Sequence, residues 1–394
     1  MRIVQINATY GIGSTGTICE EISKHLTENG HECRAYYGNS ATPDSRAVRM
    51  TGKLGVRLHS LFARIFGLAG YYSTQATARL IRELREYKPD VVHLHNLHGN
   101  YVNVPKLLRY LKKSNTGTVI TLHDCWFFTG KCTHYTSCGC DRWQSECGKC
   151  PQLSGDIPSY VFDRTKKMLR DKREIFEGFD KLDVIAVSDW IKSEAERSIL
   201  GKNRIHRIYN WVDLDVFYPR EREPRDHFLI LAVSASWNKD MPKFKDVLRL
   251  SEIIPDGARI CMVGRLDGIG ELPENVQSIP YVSDKAEMAR LYSNADVYVH
   301  LSREDSFGKV ITEALACGTP VVVYNSTACP ELVGAGCGYV AEAFDVRDVC
   351  EKVKAVMEHG RDTYSEACVR FSHGFDKEEI LKKTLELYIK NSQG

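Results

Sequence analysis

Short apolar runs alternate with helical patterns along most of the chain. Ile3–Asn7, Cys33–Tyr37, Val91–His95, Val119–His123 and Val184–Val187 are strand-length and rich in apolar residues. Phe228–Ser234, Arg259–Val263, Val276–Ile279, Val297–Leu301 and Pro320–Val323 form a second such series. The segments between them repeat at helical spacing, which predicts βαβ units and parallel sheets buried on both faces. Between the two series lies "VFYPREREPRD", charged and proline-bearing, which reads as a linker. The pattern predicts two doubly wound α/β halves, 1–221 and 222–372. A last amphipathic helix, about Lys377–Ile389 within 373–394, fits against either half and is expected to pack back on the first.

One helix departs from this pattern. In "GKLGVRLHSLFARIFGLAG", Leu54, Leu58, Leu61, Phe62, Ile65 and Leu68 share a face, with Lys53, Arg57 and Arg64 opposite. Such a helix either covers a domain core or lies on an anionic membrane surface. Segment 53–72 is therefore a candidate for peripheral membrane contact.

Composition narrows the class. The 394 residues carry 53 basic and 51 acidic side chains, a net charge of +2 that argues against a general nucleic-acid binder. No apolar run approaches the roughly 20 residues that span a bilayer. "MRIVQIN" reads as a buried strand, not a secretion signal, so a cytoplasmic location is expected.

The loop Gly11-Ile12-Gly13-Ser14-Thr15-Gly16 has the spacing of a dinucleotide fingerprint. That fingerprint needs an acid at the end of the second strand for the ribose hydroxyls. Here the second strand ends Gly38-Asn39-Ser40, and Glu32 stands at its start. NAD is not expected. Gly13 and Gly16 would still let backbone approach a ligand, and a helix beginning near Thr15–Gly16 would offer amides to an anion. A tight turn with no ligand is the other reading.

The segment "SREDSFGKVITEALACGTPVVVYN" runs strand end, loop, helix, turn, strand. Ser306, Phe307, Gly308 and Lys309 mark the helix start, where free amides, the helix dipole and a cation would hold a phosphate. Asp305 precedes the helix and Glu313 lies on it, with seven residues between. Val310, Ile311, Ala314 and Leu315 are expected to be buried, with Lys309, Thr312 and Glu313 facing outward. A solvated Lys309–Glu313 pair is the competing reading.

This segment resembles the E-x7-E region of retaining glycosyltransferases with the GT-B fold, family 4, with Asp305 in place of the first Glu, or Glu304 shifted by one. "GIGSTGTI" is similar to that family's first glycine loop and "VITLHD" to the strand carrying its active-site His, here His123. "RIYNWVDLDVFYP" is similar to its domain-junction segment, with Trp211 for glycine, and "SASWNKDMPKFKD" to its phosphate-binding loop, with Lys243 as the lysine. "VVHLHNLHGNYVN", "HDCWFFTGKC" and "CGKCPQL" resemble the subgroup near colanic-acid and exopolysaccharide transferases.

The resemblance implies two Rossmann-like domains facing an interdomain cleft, the first for acceptor and the second for a nucleotide-sugar. Transfer from a UDP- or GDP-sugar to a saccharide or lipid-linked oligosaccharide would build negative charge on the leaving diphosphate, so cations and oriented amides are needed there. Lys243 and the amides of Gly308 and Lys309 suit that role. By resemblance Glu313 would accept the ribose hydroxyls, Asp305 would hold sugar hydroxyls and His123 would position one, with retention of configuration. No D-x-D sits in a suitable strand-end loop, the one at 213–215 lying at the junction, so catalysis is expected to need no metal.

Fourteen cysteines remain, six of them between Cys125 and Cys150 in a Cys-rich insertion, 125–150. Cys147-Gly-Lys-Cys150 has knuckle spacing, and Cys132 and Cys140 complete a candidate structural zinc set. Free thiols and disulfides are the alternatives. At the level of function, a sugar-nucleotide epimerase and a non-catalytic zinc-stabilised binding module stand behind the transferase reading.

Overall fold

The computed structural model describes residues 1–393, which fall into two compact units. The first comprises Met1–Ile208 together with the chain from Leu381 on, and the second Tyr209–Ile380.

The first unit is built on a parallel sheet of β1 (Arg2–Tyr10), β2 (Glu32–Ala41), β3 (Ala47–Arg49), β4 (Val91–Leu94), β5 (Gly117–Leu122), β6 (Leu182–Ala186) and β7 (Arg204–Arg207), in the order β3-β2-β1-β4-β5-β6-β7. The second unit holds β8 (Phe228–Asn238), β9 (Ala258–Asp267), β10 (Val276–Ile279), β11 (Val297–His300), β12 (Val321–Tyr324) and β13 (Gly338–Ala341), also parallel, ordered β10-β9-β8-β11-β12-β13. Each is a Rossmann-like doubly wound sheet, and the pair is the GT-B architecture. Every residue of β4, β5, β6, β11 and β12 is buried, the state their apolar runs predicted. Strand order reverses beside β1 in one sheet and beside β8 in the other. Ligands of open α/β sheets bind outside the carboxyl ends of strands at such places.

The first unit ends at Ile208 and the linker-like stretch lies within the second unit. Tyr209 packs on Phe307 and Phe375, with ring centres 5.7 and 5.1 Å away, and Phe217 on Tyr292 at 6.3 Å. These aromatic contacts bind 209–217 to the second core despite its charged sequence context. The last helix, Lys377–Gln393, belongs to the second unit through Ile380 and to the first from Leu381. There the Tyr388 hydroxyl lies 2.6 Å from His93 Nδ1, and Asn391 donates to Asp183.

The helix Lys53–Phe66 turns His59 and Ala63 inward and leaves most of its large apolar side chains out. Leu54 is 70% exposed and Leu61 52%, with Leu58, Phe62 and Phe66 exposed as well. No helix among the described residues is long and apolar enough to cross a membrane.

Candidate active site

In the second unit, the chain leaving β8 and the chain leaving β11 bring the predicted residues together. Lys243 sits in the first turn of the helix Pro242–Ser251, half-buried. Its Nζ donates to Ser234 Oγ at 2.7 Å and lies 5.3 Å from the centre of the Trp237 ring. Burial pulls its pKa below the ordinary lysine value, and the nearby charge of Asp305 works against that pull. Cation and carboxylate thus share one neighbourhood at the carboxyl edge, beside the strand-order reversal.

Asp305 is fixed from two sides. Its amide donates to Thr327 Oγ1 at 2.9 Å, and its Oδ2 lies 2.9 Å from His300 Nε2. His300 Nδ1 in turn lies 2.9 Å from the Tyr298 hydroxyl. The carboxylate is therefore oriented by a buried histidine–tyrosine pair at the end of β11. Sequence reasoning missed both, because within an apolar strand they read as ordinary core. The ligand atoms of His300, Asp305 and Cys329 lie within 4.8 Å of one another, a set able to hold a metal ion.

Gly308 caps the following helix, Lys309–Ala316, in the left-handed conformation at φ +85°, and no side chain caps that N-terminus. A Cβ there would come within 2.8 Å of Ile311 Cδ1. Glycine is required for the turn that aims the amides of Gly308 and Lys309 outward from the helix start. Glu313, one turn on, is half-buried and accepts from the Tyr292 hydroxyl at 3.4 Å.

Two expectations for this segment change. Thr312 is fully buried, its hydroxyl donating to the Lys309 carbonyl at 2.8 Å, so it does not face outward. Val310 is only half-buried. The Phe307 ring is buried against Tyr209 and Phe375, which leaves its backbone, not its ring, for a ligand. Ser306 is buried beside it.

In the first unit the helix Gly13–Glu28 begins two residues before the predicted start. Gly13, at φ +69°, has open space where a Cβ would project. Gly16 differs: a Cβ there would lie 2.7 Å from Thr9 Oγ1, so its role is close helix–strand packing. No side chain caps this helix either.

His123 follows β5 and ends a buried polar chain that sequence patterns did not reveal. Gln5 donates through Nε2 to the Cys19 carbonyl at 2.9 Å and to Ser23 Oγ at 2.7 Å. Its Oε1 must then accept from His95 Nε2, 3.0 Å away. With that nitrogen protonated, neutral His95 offers Nδ1 as an acceptor to His123 Nε2 at 3.0 Å. Burial lowers His123 to about 4, with Asp124 opposing, and lowers His95 well below the usual value. Both are neutral at pH 7. Beside them Asp124 pairs with His98 at 2.9 Å and accepts the Trp126 amide at 2.8 Å. Burial resists ionisation of Asp124, but His98 outweighs it and the pKa falls.

The insertion brings Cys132, Cys140, Cys147 and Cys150 to the wall of one small cavity, with Lys131 and Trp143. The thiols of Cys132 and Cys150 hydrogen-bond, while the amides of Gly130 and Gln152 donate to Cys147 and Cys150. The four sulfurs as a set are spread more widely than the His300 group. Cys125 is buried apart from the cavity wall and Cys138 is exposed.

Comparison with known proteins adds an independent line. Residues 15–216 match the family described as Glycosyltransferase Family 4, and residues 258–372 match Glycosyl transferases group 1. The chain is 24% identical to WcaC of Escherichia coli K12, described as a glycosyl transferase of colanic acid biosynthesis, over 98% of this chain and 99% of that protein. Sucrose-phosphate synthase from Thermosynechococcus elongatus superposes with a TM-score of 0.72 at 16% identity, covering 99% of this chain and 98% of that one. Anabaena HepE, solved with UDP and glucose, superposes with a TM-score of 0.63 at 16% identity over 98% of each chain.

Proposed function

The chain belongs to the family 4 glycosyltransferases, and from that premise we propose that it transfers a sugar from a UDP- or GDP-sugar to a saccharide or lipid-linked oligosaccharide in surface polysaccharide biosynthesis, with retention of configuration. The observation that carries the reading is the grouping of Lys243, Asp305 and the Gly308-capped helix start, with Glu313 one turn on.

As the donor bond breaks, charge grows on the leaving diphosphate. Lys243 and the amides of Gly308 and Lys309 stabilise it more in the transition state than in the ground state, which is what accelerates a reaction. Glu313 accepts the ribose hydroxyls. Asp305, held by His300, accepts from hydroxyls of the donor sugar. His123 receives a sugar hydroxyl, and Gly13 offers backbone to the donor. No metal is required for this chemistry, and full activity without added divalent cations is the matching expectation. The epimerase and binding-module readings are less favoured, because neither accounts for membership of a transferase family along both halves of the chain.

The test is nucleotide release from UDP-, GDP-, ADP- and TDP-sugars with and without saccharide acceptors. One nucleotide is expected to be released selectively and acceptor-dependently, with the product anomer matching the donor by NMR. Glu313→Ala should abolish turnover while the protein stays folded, with a modest loss of thermal stability because the buried Tyr292 hydroxyl loses its acceptor; near-wild-type turnover in that variant would sink the site.

A surface feature bears on location. From residue 45 to 82 the chain has no Asp or Glu, yet carries seven Lys and Arg, Lys53, Arg57 and Arg64 among them. Exposed Leu54, Leu58, Leu61, Phe62 and Phe66 continue through stacked Phe162, 6.1 Å from Phe66, to exposed Tyr160 and Val161. An apolar ridge flanked by this basic stretch matches an anionic membrane surface. Peripheral attachment at the cytoplasmic face, where a lipid-linked acceptor would lie, is the location we assign.

A further inference from the structure

We infer that the insertion after β5 is a structural zinc module in which Cys132, Cys140, Cys147 and Cys150 bind one ion and the buried Lys131 and Lys172 balance its charge. This inference does not depend on the transferase reading.

The first support is the placement of the thiols. All four line one cavity, although they come from a stretch of chain with little regular structure. Between β5 and the helix Thr165–Phe176 only the short turns Thr136–Cys138 and Arg142–Gln144 are regular. Loops of that length inside a compact unit need something to hold them. The Cys147–Cys150 turn already has knuckle features. Gly148 and Lys149 both take positive φ, +135° and +47°. Backbone amides donate to the Cys147 and Cys150 sulfurs, and such bonds favour the thiolate.

The second support is charge. Lys131 is 3% exposed and Lys172 4%. Lys131 Nζ donates to the carbonyls of Asp156 and Ile157, the latter at 3.2 Å. Lys172 Nζ donates to the carbonyls of Trp126 and Thr129, the latter at 2.9 Å, and lies 3.6 Å from the Trp126 ring centre. These partners are neutral, and burying an ammonium among neutral groups is unfavourable. The one carboxylate acting on Lys172, Asp124, is already paired with His98. A zinc ion held by four thiolates carries a net charge of −2, the complement of two ammoniums. Asp163 acts on Lys131 as well, but neutral thiols or two disulfides would leave Lys172 with no carboxylate beyond the already paired Asp124.

Binding would draw the four sulfurs inward to about 2.3 Å from a common centre, with four protons released to solvent. Four protein ligands close the shell, so the ion is a staple and not a catalyst. Cys125 and Cys138 lie outside it.

The experiment measures metal in the full-length protein purified under reducing conditions without added metal. About one zinc per chain is expected, and the cobalt-exchanged protein should show the intense thiolate charge-transfer and visible bands of a tetrahedral site. Cys147→Ser/Cys150→Ser should lose the ion and become sensitive to limited proteolysis within 125–164. If that variant does not fold, the wild-type zinc content and cobalt spectrum decide. Folded wild-type protein with less than about 0.2 equivalents of zinc would overturn the assignment. An intact mass showing two disulfides among these cysteines would overturn it as well.

Discussion

Lys243→Met isolates the electrostatic part of the proposed chemistry. The substitution keeps an unbranched apolar stem beside Trp237 and removes the ammonium and its 2.7 Å hydrogen bond to Ser234. Two terms act on stability. The lost hydrogen bond costs about 1 kcal/mol net. Against this, burial holds the Lys243 pKa below its ordinary value, so the folded protein bears a desolvation cost at pH 7 that the variant sheds. The terms oppose, and the net change should stay within about 1 kcal/mol, a Tm shift of about 2–4 °C or less for a unit of this size. Activity has no such compensation. Loss of one preorganised donor from a developing anion typically costs 10²- to 10³-fold in kcat, about 2.7–4 kcal/mol. The assay is steady-state nucleotide release with the preferred donor, alongside a thermal melt of the same preparation. A kcat within about fivefold of wild type would refute the role, since that is under ~1 kcal/mol of transition-state stabilisation. A Tm loss well beyond the range above would show instead that Lys243 is needed for the fold.

Other expectations follow from the same geometry. Gly308→Ala puts a Cβ at φ +85° and 2.8 Å from Ile311 Cδ1, so chemical denaturation should show a loss of about 1–2 kcal/mol and donor KM should rise. His59, His93, His95 and His123 all have pKa values lowered by burial, to about 4, about 3, well below normal and about 4. The unfolded chain therefore binds more protons below pH 6.5, and stability should fall as pH drops from 6.5 towards 4, by up to about 1.4 kcal/mol per pH unit for each histidine. A Tm independent of pH across that window would contradict the buried neutral histidines. Leu58→Glu/Phe62→Glu should abolish sedimentation with anionic liposomes at low salt while leaving turnover on a soluble acceptor unchanged; undiminished sedimentation would remove this face from the membrane contact.

The apolar runs determined both sheets, since a strand buried on two faces must be apolar along its length. Ten such runs lie on the ten strands they predicted. The strands they missed, β3, β7 and β13, are all sheet edges, where half-exposed sequences such as "RIHR" are stable because one side meets water. The spacing likewise placed Gly308 at a helix start and Glu313 on that helix, and Lys243, which the resemblance pointed to, lies close enough to Asp305 to feel its charge. Tertiary structure alone decided the remainder. Gly16 proved to be a packing glycine because Thr9 lies across from it, and the Phe307 ring proved to be core because Tyr209 and Phe375 enclose it. The supports of the candidate site residues were equally hidden: His300 behind Asp305, Gln5 and His95 behind His123. Each is a polar side chain in an apolar strand, and its hydrogen-bond partner is set by strands remote in sequence. Hydrophobic periodicity records which way a side chain faces, but the sheet's strand order decides what it meets there.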